Sequence, residues 1–200
     1  MPSKPLKLWA LLLLLVPFAS FAHGQVAPAA REGVAPIEFG GGGSLWFANY
    51  GKFPDYMVAL TAWGDIHPKM PDALRGLGAE IEFREANWGR VNVPSYVSQQ
   101  TIGGGPIYNF GKFHLVRPYA KFLIAHGTEH FNSGNPKYTS DTRLVYAPGG
   151  GAEFELPRGF GIRADYEYQI WDPLLSPTAR PTPNGLTISA SYNLGRVHRQ

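Results

Sequence analysis

GIRADYEYQIW, residues Gly161–Trp171, alternates apolar and polar side chains from Ile162 to Ile170. Side chains alternate along an extended strand, so Ile162, Ala164, Tyr166, Tyr168 and Ile170 share one face. Arg163, Asp165, Glu167 and Gln169 share the other. One face is apolar and aromatic, the other strongly charged, and the period of two marks a strand.

The other end of the chain sets the context. Lys4 and Lys7 precede an apolar run, LWALLLLLV at Leu8–Val16, and Ser20-Phe21-Ala22 follows with small residues at the cleavage positions. That is the layout of an export signal over residues 1–22, cut after Ala22. The run is far shorter than the ~20 residues a membrane helix needs. Residues 23–36, including QVAPAAREGVAP at Gln25–Pro36, read as a disordered periplasmic lead-in. Residues 37–195 form one domain and 196–200 a short tail. In an exported chain, a charged face backed by an aromatic one suggests a barrel wall with lipid on one side.

Composition narrows the class. The formal charge is +3, but losing Lys4 and Lys7 leaves 16 basic against 15 acidic residues, so no nucleic-acid partner is implied. The sequence holds no cysteine, hence no lipoprotein attachment site and no disulfide framework. With 24 Gly, 18 Pro and 14% aromatic residues, helices are disfavoured and strands favoured. The mature chain reads as all-β.

Eight strands are expected: Ile37–Ala48, Met57–His67, Gly76–Trp88, Thr101–Phe110, Pro118–His130, Thr142–Leu156, Phe160–Trp171 and Leu186–Gly195. The third sets Leu77, Ala79, Ile81 and Phe83 against Glu80, Glu82 and Arg84; the eighth sets Leu186, Ile188 and Ala190 against Thr187, Ser189 and Ser191. In the fifth, Lys121 argues for one phase, while Phe122 and Ile124 share a face with His126, so a bulge or a changed phase is open. Connections after odd strands are long (Asn49–Tyr56, Gly89–Gln100, Phe131–Asp141, Asp172–Gly185). Gly111–Arg117 and Pro157–Gly159 are tight, and Pro68–Arg75 has room for a short turn of helix.

Long outer loops alternating with short turns, on an even number of antiparallel strands, is the pattern of bacterial outer-membrane barrels. On GLGAEIEF (76–83), TIGGGPIYNF (101–110), RPYAKF (117–122) and GIRADYEYQIW (161–171), the chain resembles the small eight-stranded outer-membrane β-barrel proteins, broadly like the OmpA transmembrane domain. The resemblance implies an up-and-down transmembrane barrel in the bacterial outer membrane. Its implied partners are outer-membrane lipid, lipopolysaccharide and the barrel-assembly machinery. Such chains often end on an aromatic residue that this machinery reads; here Tyr192 and Leu194 would be a displaced version of it.

A soluble lipocalin-like barrel shows the same alternation with its faces swapped. Aromatics near both strand ends (Phe47 and Tyr168; Tyr108, Phe110, Phe154 and Tyr192) favour lipid outside, as interfacial girdles. Eight strands leave an interior filled by side chains. Glu38, Asp65, Glu80, Glu82, Glu153, Glu155, Asp165 and Glu167 would there meet Arg84, Arg143, Arg163 and Lys121 in an ion-pair network, and the acids outnumber the bases. A cation or proton path is the sharper alternative.

Three glycine clusters, Gly40–Gly43, Gly103–Gly105 and Gly149–Gly151, lack the following helix and Lys-Ser/Thr pair of a phosphate loop. They read as sites of bending beside bulky residues such as Trp46 and Trp63, and no cofactor is implied. His126, Thr128 and Glu129 are the only local set with a catalytic look. His126 and His130 at that spacing are open to sharing a metal, although no third ligand is evident and no metal is assigned. Tyr50, Tyr56, Trp88, Tyr96, Phe131 and Tyr138 in the outer loops are candidate contact residues. The leading reading is a non-enzymatic outer-membrane barrel serving envelope structure or surface contact through four outer loops. Two alternatives stay open: a lipid A deacylase-like enzyme using the His126 region, and a soluble periplasmic carrier.

Overall fold

The strands follow from period-two alternation, and their pairing closes on itself. The computed structural model describes residues 37–48, 56–88, 97–131, 140–173 and 180–194. The segments expected to be an export signal (1–22), a lead-in (23–36) and a tail (196–200) lie outside the described residues. The strands are β1 (Ile37–Phe47), β2 (Tyr56–Ile66), β3 (Leu77–Trp88), β4 (Val97–Asn109), β5 (Val116–Phe131), β6 (Ser140–Glu155), β7 (Phe160–Tyr168), β8 (Ile170–Trp171) and β9 (Asn184–Asn193). From β1 to β7 each pairs antiparallel with its sequence neighbour, β8 also pairs with β6, β7 pairs with β9 and β9 with β1, so the sheet is a closed up-and-down barrel.

β7 and β8 are one stave with a break at Gln169, which makes eight staves in all. The break has a chemical cause. Gln169 and Trp171 donate their N–H groups to the carbonyls of Pro183 (2.8 Å) and Pro181 (3.1 Å). Neither proline has an N–H to return, so the ladder is one-sided there.

Strand ends fall within two residues of the sequence expectation except at the start of β4. β4 begins at Val97 rather than Thr101, because Ser98, Gln99 and Gln100 pair with both β3 and β5. Polar residues mark loops poorly where one face of every strand is polar. Tyr56, expected in a loop, opens β2 and pairs with Phe47, their rings 5.0 Å apart. The 68–75 connection does contain a short 3-10 turn, Asp72–Leu74.

β5 has no bulge: its register with β6 runs unbroken from Val116–Phe154 to His130–Ser140. Lys121, Leu123, Ala125 and Glu129 point inward, and Phe122, Ile124 and His126 outward. The outer surface carries Leu60, Val58, Ile81 and Ile188, each about three-fifths or more exposed, while Glu80, Glu82, Arg84, Arg163 and Asp165 are buried inside. This polarity overturns the soluble-carrier alternative, which needs the apolar face within. Aromatic pairs mark both rims: Phe47–Tyr56 at one, Tyr108–Phe110 and Phe160–Tyr192 at the other.

Each glycine cluster contains an inward position where the neighbouring backbone comes too close for a Cβ. At Gly42 it would strike the Ile188 carbonyl of β9, at Gly105 the Phe122 carbonyl of β5, and at Gly151 the Ala164 carbonyl of β7. These are three points of sharp coiling, and they let a small barrel close around large side chains.

Face assignment gives a direct expectation. Ile188→Arg, on the lipid face, should cost about 2–4 kcal/mol near mid-bilayer. Thr187→Arg, pointing into the polar interior, should show a different cost in the same urea unfolding measurement. Equal losses at the two sites would contradict the assignment.

Candidate functional site

The inward residues of β3, β5 and β7 supply most of the interior charge, stacked along the barrel axis. At the short-turn end, Arg117 donates from Nη2 to Glu38 Oε2 at 2.6 Å and also to Glu153. Asn193 adds a donor to Glu38 at 3.1 Å. Farther in, Arg163 donates from Nη2 to Glu80 at 2.7 Å and from Nε to the Tyr119 hydroxyl at 2.6 Å. That hydroxyl donates to Asp165 at 2.5 Å. The Arg163 guanidinium also lies 4.0 Å from the Trp63 ring and 4.2 Å from the Tyr119 ring.

Lys121 occupies the centre. Its Nζ lies 2.6 Å from Glu82, 3.1 Å from Glu167, 3.2 Å from Glu80 and 3.3 Å from Asp165, and its side chain is 0% exposed. Beyond it, Arg84 contacts Glu82 at 2.6 Å and Glu167 at 2.7 Å, donates to Thr61 at 3.2 Å, and lies 4.0 Å from the Trp46 ring. Each central acid is therefore shared by two bases. Glu80 and Asp165 bridge Arg163 to Lys121, and Glu82 and Glu167 bridge Lys121 to Arg84. A buried ion is costly unless paired on several sides, and this sharing supplies the pairing.

The outer end of the interior is apolar. Ala48, Met57, Ala59 and Ala86 gather around Trp46, and Ala125 and Val145 around Trp171. Trp171 donates from Nε1 to Gln169, which in turn donates to Glu167, linking this layer to the charges below.

Glu82, Asp165 and Glu167 bring oxygens within 4.8 Å of one another, a spacing that would suit a metal ion. The Lys121 ammonium already contacts all three, so it stands where such a cation would sit.

The structure brings together Glu38, Asp65, Glu80, Glu82, Arg84, Glu153, Arg163, Asp165 and Glu167 in the interior. It leaves two of the sequence candidates at the rims, since both fall near strand ends. Arg143 bonds Asp141 of its own strand at 2.9 Å, and Glu155 pairs with Lys112 at 2.5 Å. Sequence reasoning missed Arg117, assigned to a turn, and Tyr119, whereas Gln169 falls on the charged face as the alternation predicts. Once Lys121 fixes the phase of β5, Arg117 and Tyr119 are inward by parity, and that signal was available.

The His126 set does not assemble. His126 is exposed on the outer face, and Thr128, on the same face, has its hydroxyl 3.0 Å from that of Thr142. Glu129 points inward and accepts a hydrogen bond from Gln99 at 3.1 Å. Strand alternation alone separates them. His126 and His130 stand about 13 Å apart along a strand, too far to share a metal. Of the loop candidates, Tyr50, Tyr96 and Tyr138 lie outside the described residues, while Trp88 and Phe131 are the last residues of β3 and β5.

Lys121→Met leaves four buried carboxylates without their common counter-ion. It should destabilise the barrel by about 3–5 kcal/mol in urea unfolding. Adding Glu82→Gln should recover part of that loss, because one fewer negative charge stays uncompensated.

Comparison with known proteins places this geometry. A family model described as outer membrane protein beta-barrel domain matches residues 10–193. No curated protein sequence matches the chain. Among solved structures, Neisserial surface protein A is similar with a TM-score of 0.63 at 12% identity, over 78% of this chain and 94% of that one. Ail, the attachment invasion locus protein of Yersinia pestis, is similar with a TM-score of 0.55 at 15% identity, over 80% and 99%. At these identities the likeness is one of fold.

Proposed function

The chain belongs to the outer membrane protein β-barrel domain family and resides in the bacterial outer membrane, and on that premise we propose that it is a non-enzymatic, non-conducting barrel. It contributes to envelope structure, and its four outer loops make surface contacts. The observation that carries this reading is Lys121, enclosed by Glu80, Glu82, Asp165 and Glu167 and held between Arg163 and Arg84. A strand of water or ions has to displace that ladder, breaking several short charge pairs at once. The apolar layer around Trp46, Met57, Val145 and Trp171 adds a second barrier toward the outer end.

The outward apolar belt meets outer-membrane lipid and lipopolysaccharide, and insertion passes through the barrel-assembly machinery, with Tyr192 and Leu194 as the displaced terminal signal. The deacylase-like alternative asks for a histidine, a hydroxyl and an acid on one lipid-facing surface. Glu129 on the inner face counts against it.

In planar bilayers, the folded native protein should give no sustained single-channel steps. Stable conductance steps from native protein would remove the plugged-interior reading and favour the cation-path alternative.

A further inference from the structure

The apolar belt does not stop where the strands end at the short-turn end. Tyr108 and Phe110 carry it off β4, Phe154 and Leu156 off β6, and Phe160 opens it on β7. It continues into the turn between β4 and β5, where Phe113 is 63% and Leu115 65% exposed. Turns in water normally take Gly, Asn, Asp, Ser or Pro. Exposed apolar surface that continues in this way marks a contact with something other than water. This turn adjoins the next one: the Glu155 N–H donates to the Leu115 carbonyl at 3.0 Å, and Lys112 donates to the Glu155 carboxylate at 2.5 Å.

The backbone of the same two turns carries a second observation. Among the described residues, His114 (φ 57°) and Arg158 (φ 63°) are the non-glycine residues with positive φ. His114 lies in the turn between β4 and β5, and Arg158 is the middle residue of Pro157–Gly159. A left-handed residue with a Cβ is strained, and glycine is the usual occupant. Each of these turns instead keeps a basic side chain there, exposed and next to exposed apolar residues.

Position and charge select what meets these turns. A protein docking from the periplasm would meet them in water, which requires the apolar belt to stop short of them. The belt runs on into them. Basic side chains at the edge of an apolar belt stand at the level of phospholipid headgroups, and anionic headgroups attract them. We propose that the two turns, through Arg158, His114 and Lys112 with Phe113 and Leu115 beside them, seat the barrel on anionic phospholipid of the periplasmic leaflet. The proposal rests on the reading above that puts the long connections outside the cell.

The test reads the thermal unfolding midpoint of the full chain in vesicles of phosphatidylcholine, alone or mixed with phosphatidylglycerol. The anionic lipid should raise the midpoint by about 2–4 °C. Arg158→Gly separates strain from binding. It should raise the midpoint in phosphatidylcholine, because the left-handed strain is relieved, and lose part of the phosphatidylglycerol increment. The double variant Lys112→Gln, Arg158→Gly should lose most of it, while Arg180→Gln, in the long connection after β8, should keep it. Should the double variant not refold, Arg158→Gly alone carries the comparison. No increment in the native protein, an increment that survives the substitutions at 112 and 158, or one equally lost with Arg180→Gln overturns the proposal. Glycerophosphate added to phosphatidylcholine vesicles should not reproduce the increment; if it does, free phosphate is what is recognised and the lipid contact fails. The sequence has no cysteine, so Phe113→Cys takes a single spin label whose relaxation by oxygen and by a water-soluble nickel complex reports depth. A label within the headgroup or acyl layer is expected. A fully aqueous label overturns the lipid contact and leaves the turns to an acidic protein partner. Orientation is read separately with Lys69→Cys, which should react with a membrane-impermeant thiol reagent only after cells are permeabilised. Reaction on intact cells overturns the orientation itself, to which the vesicle measurements are indifferent.

Discussion

The pairing of β1 with β9 is the constraint on which the rest depends. It joins the two ends of the described barrel in register from Glu38–Asn193 to Phe47–Asn184 and leaves neither strand as an edge. In a bilayer no water is present to satisfy an open edge, so closure is the condition for crossing at all. The seam contains the glycine run of β1, and Gly42 sits where a side chain would strike the β9 backbone. A feature that looks like low complexity in the sequence is what allows the ends to meet.

Closure then dictates the interior. Eight staves enclose a space narrow enough for side chains to fill, and the inward half of every strand has to be accommodated there. The chain answers with charge rather than with a purely apolar packing. The arginines and Lys121 alternate with shared carboxylates, and Trp46, Trp63 and Tyr119 flank the guanidinium groups. Such an arrangement gains little net stability over an apolar interior, because desolvation offsets most of the attraction. What it does gain is specificity. A one-residue slip of any strand would turn these charges toward lipid, so the network holds the register.

Much of this is legible in the sequence. The alternation in Gly161–Trp171 and in β3 assigned Arg163, Asp165, Glu167, Glu80, Glu82 and Arg84 to one face, and the structure places them together. The start of β4 is less legible. Ser98–Gln100 read as loop because polarity usually marks exposure, while here Gln99 is buried in the interior and donates to Glu129. The break at Gln169 comes from prolines at 181 and 183, on a segment more than ten residues away. The His126, Thr128 and Glu129 set looked coherent along the chain and is divided by the barrel wall.

Which residues share a face can be read along the chain, because that depends only on the two-residue period of an extended backbone. The same alternation makes the two faces chemically opposed, which points to lipid on one side. Which acid meets which base is fixed by the folded barrel, where Lys121 of β5 collects carboxylates from β3 and β7 across the interior. The folded barrel likewise decides that β5 and β6, 16 residues each, outgrow the other staves. Both depend on how neighbouring strands are staggered when the sheet closes, and no single strand carries that information.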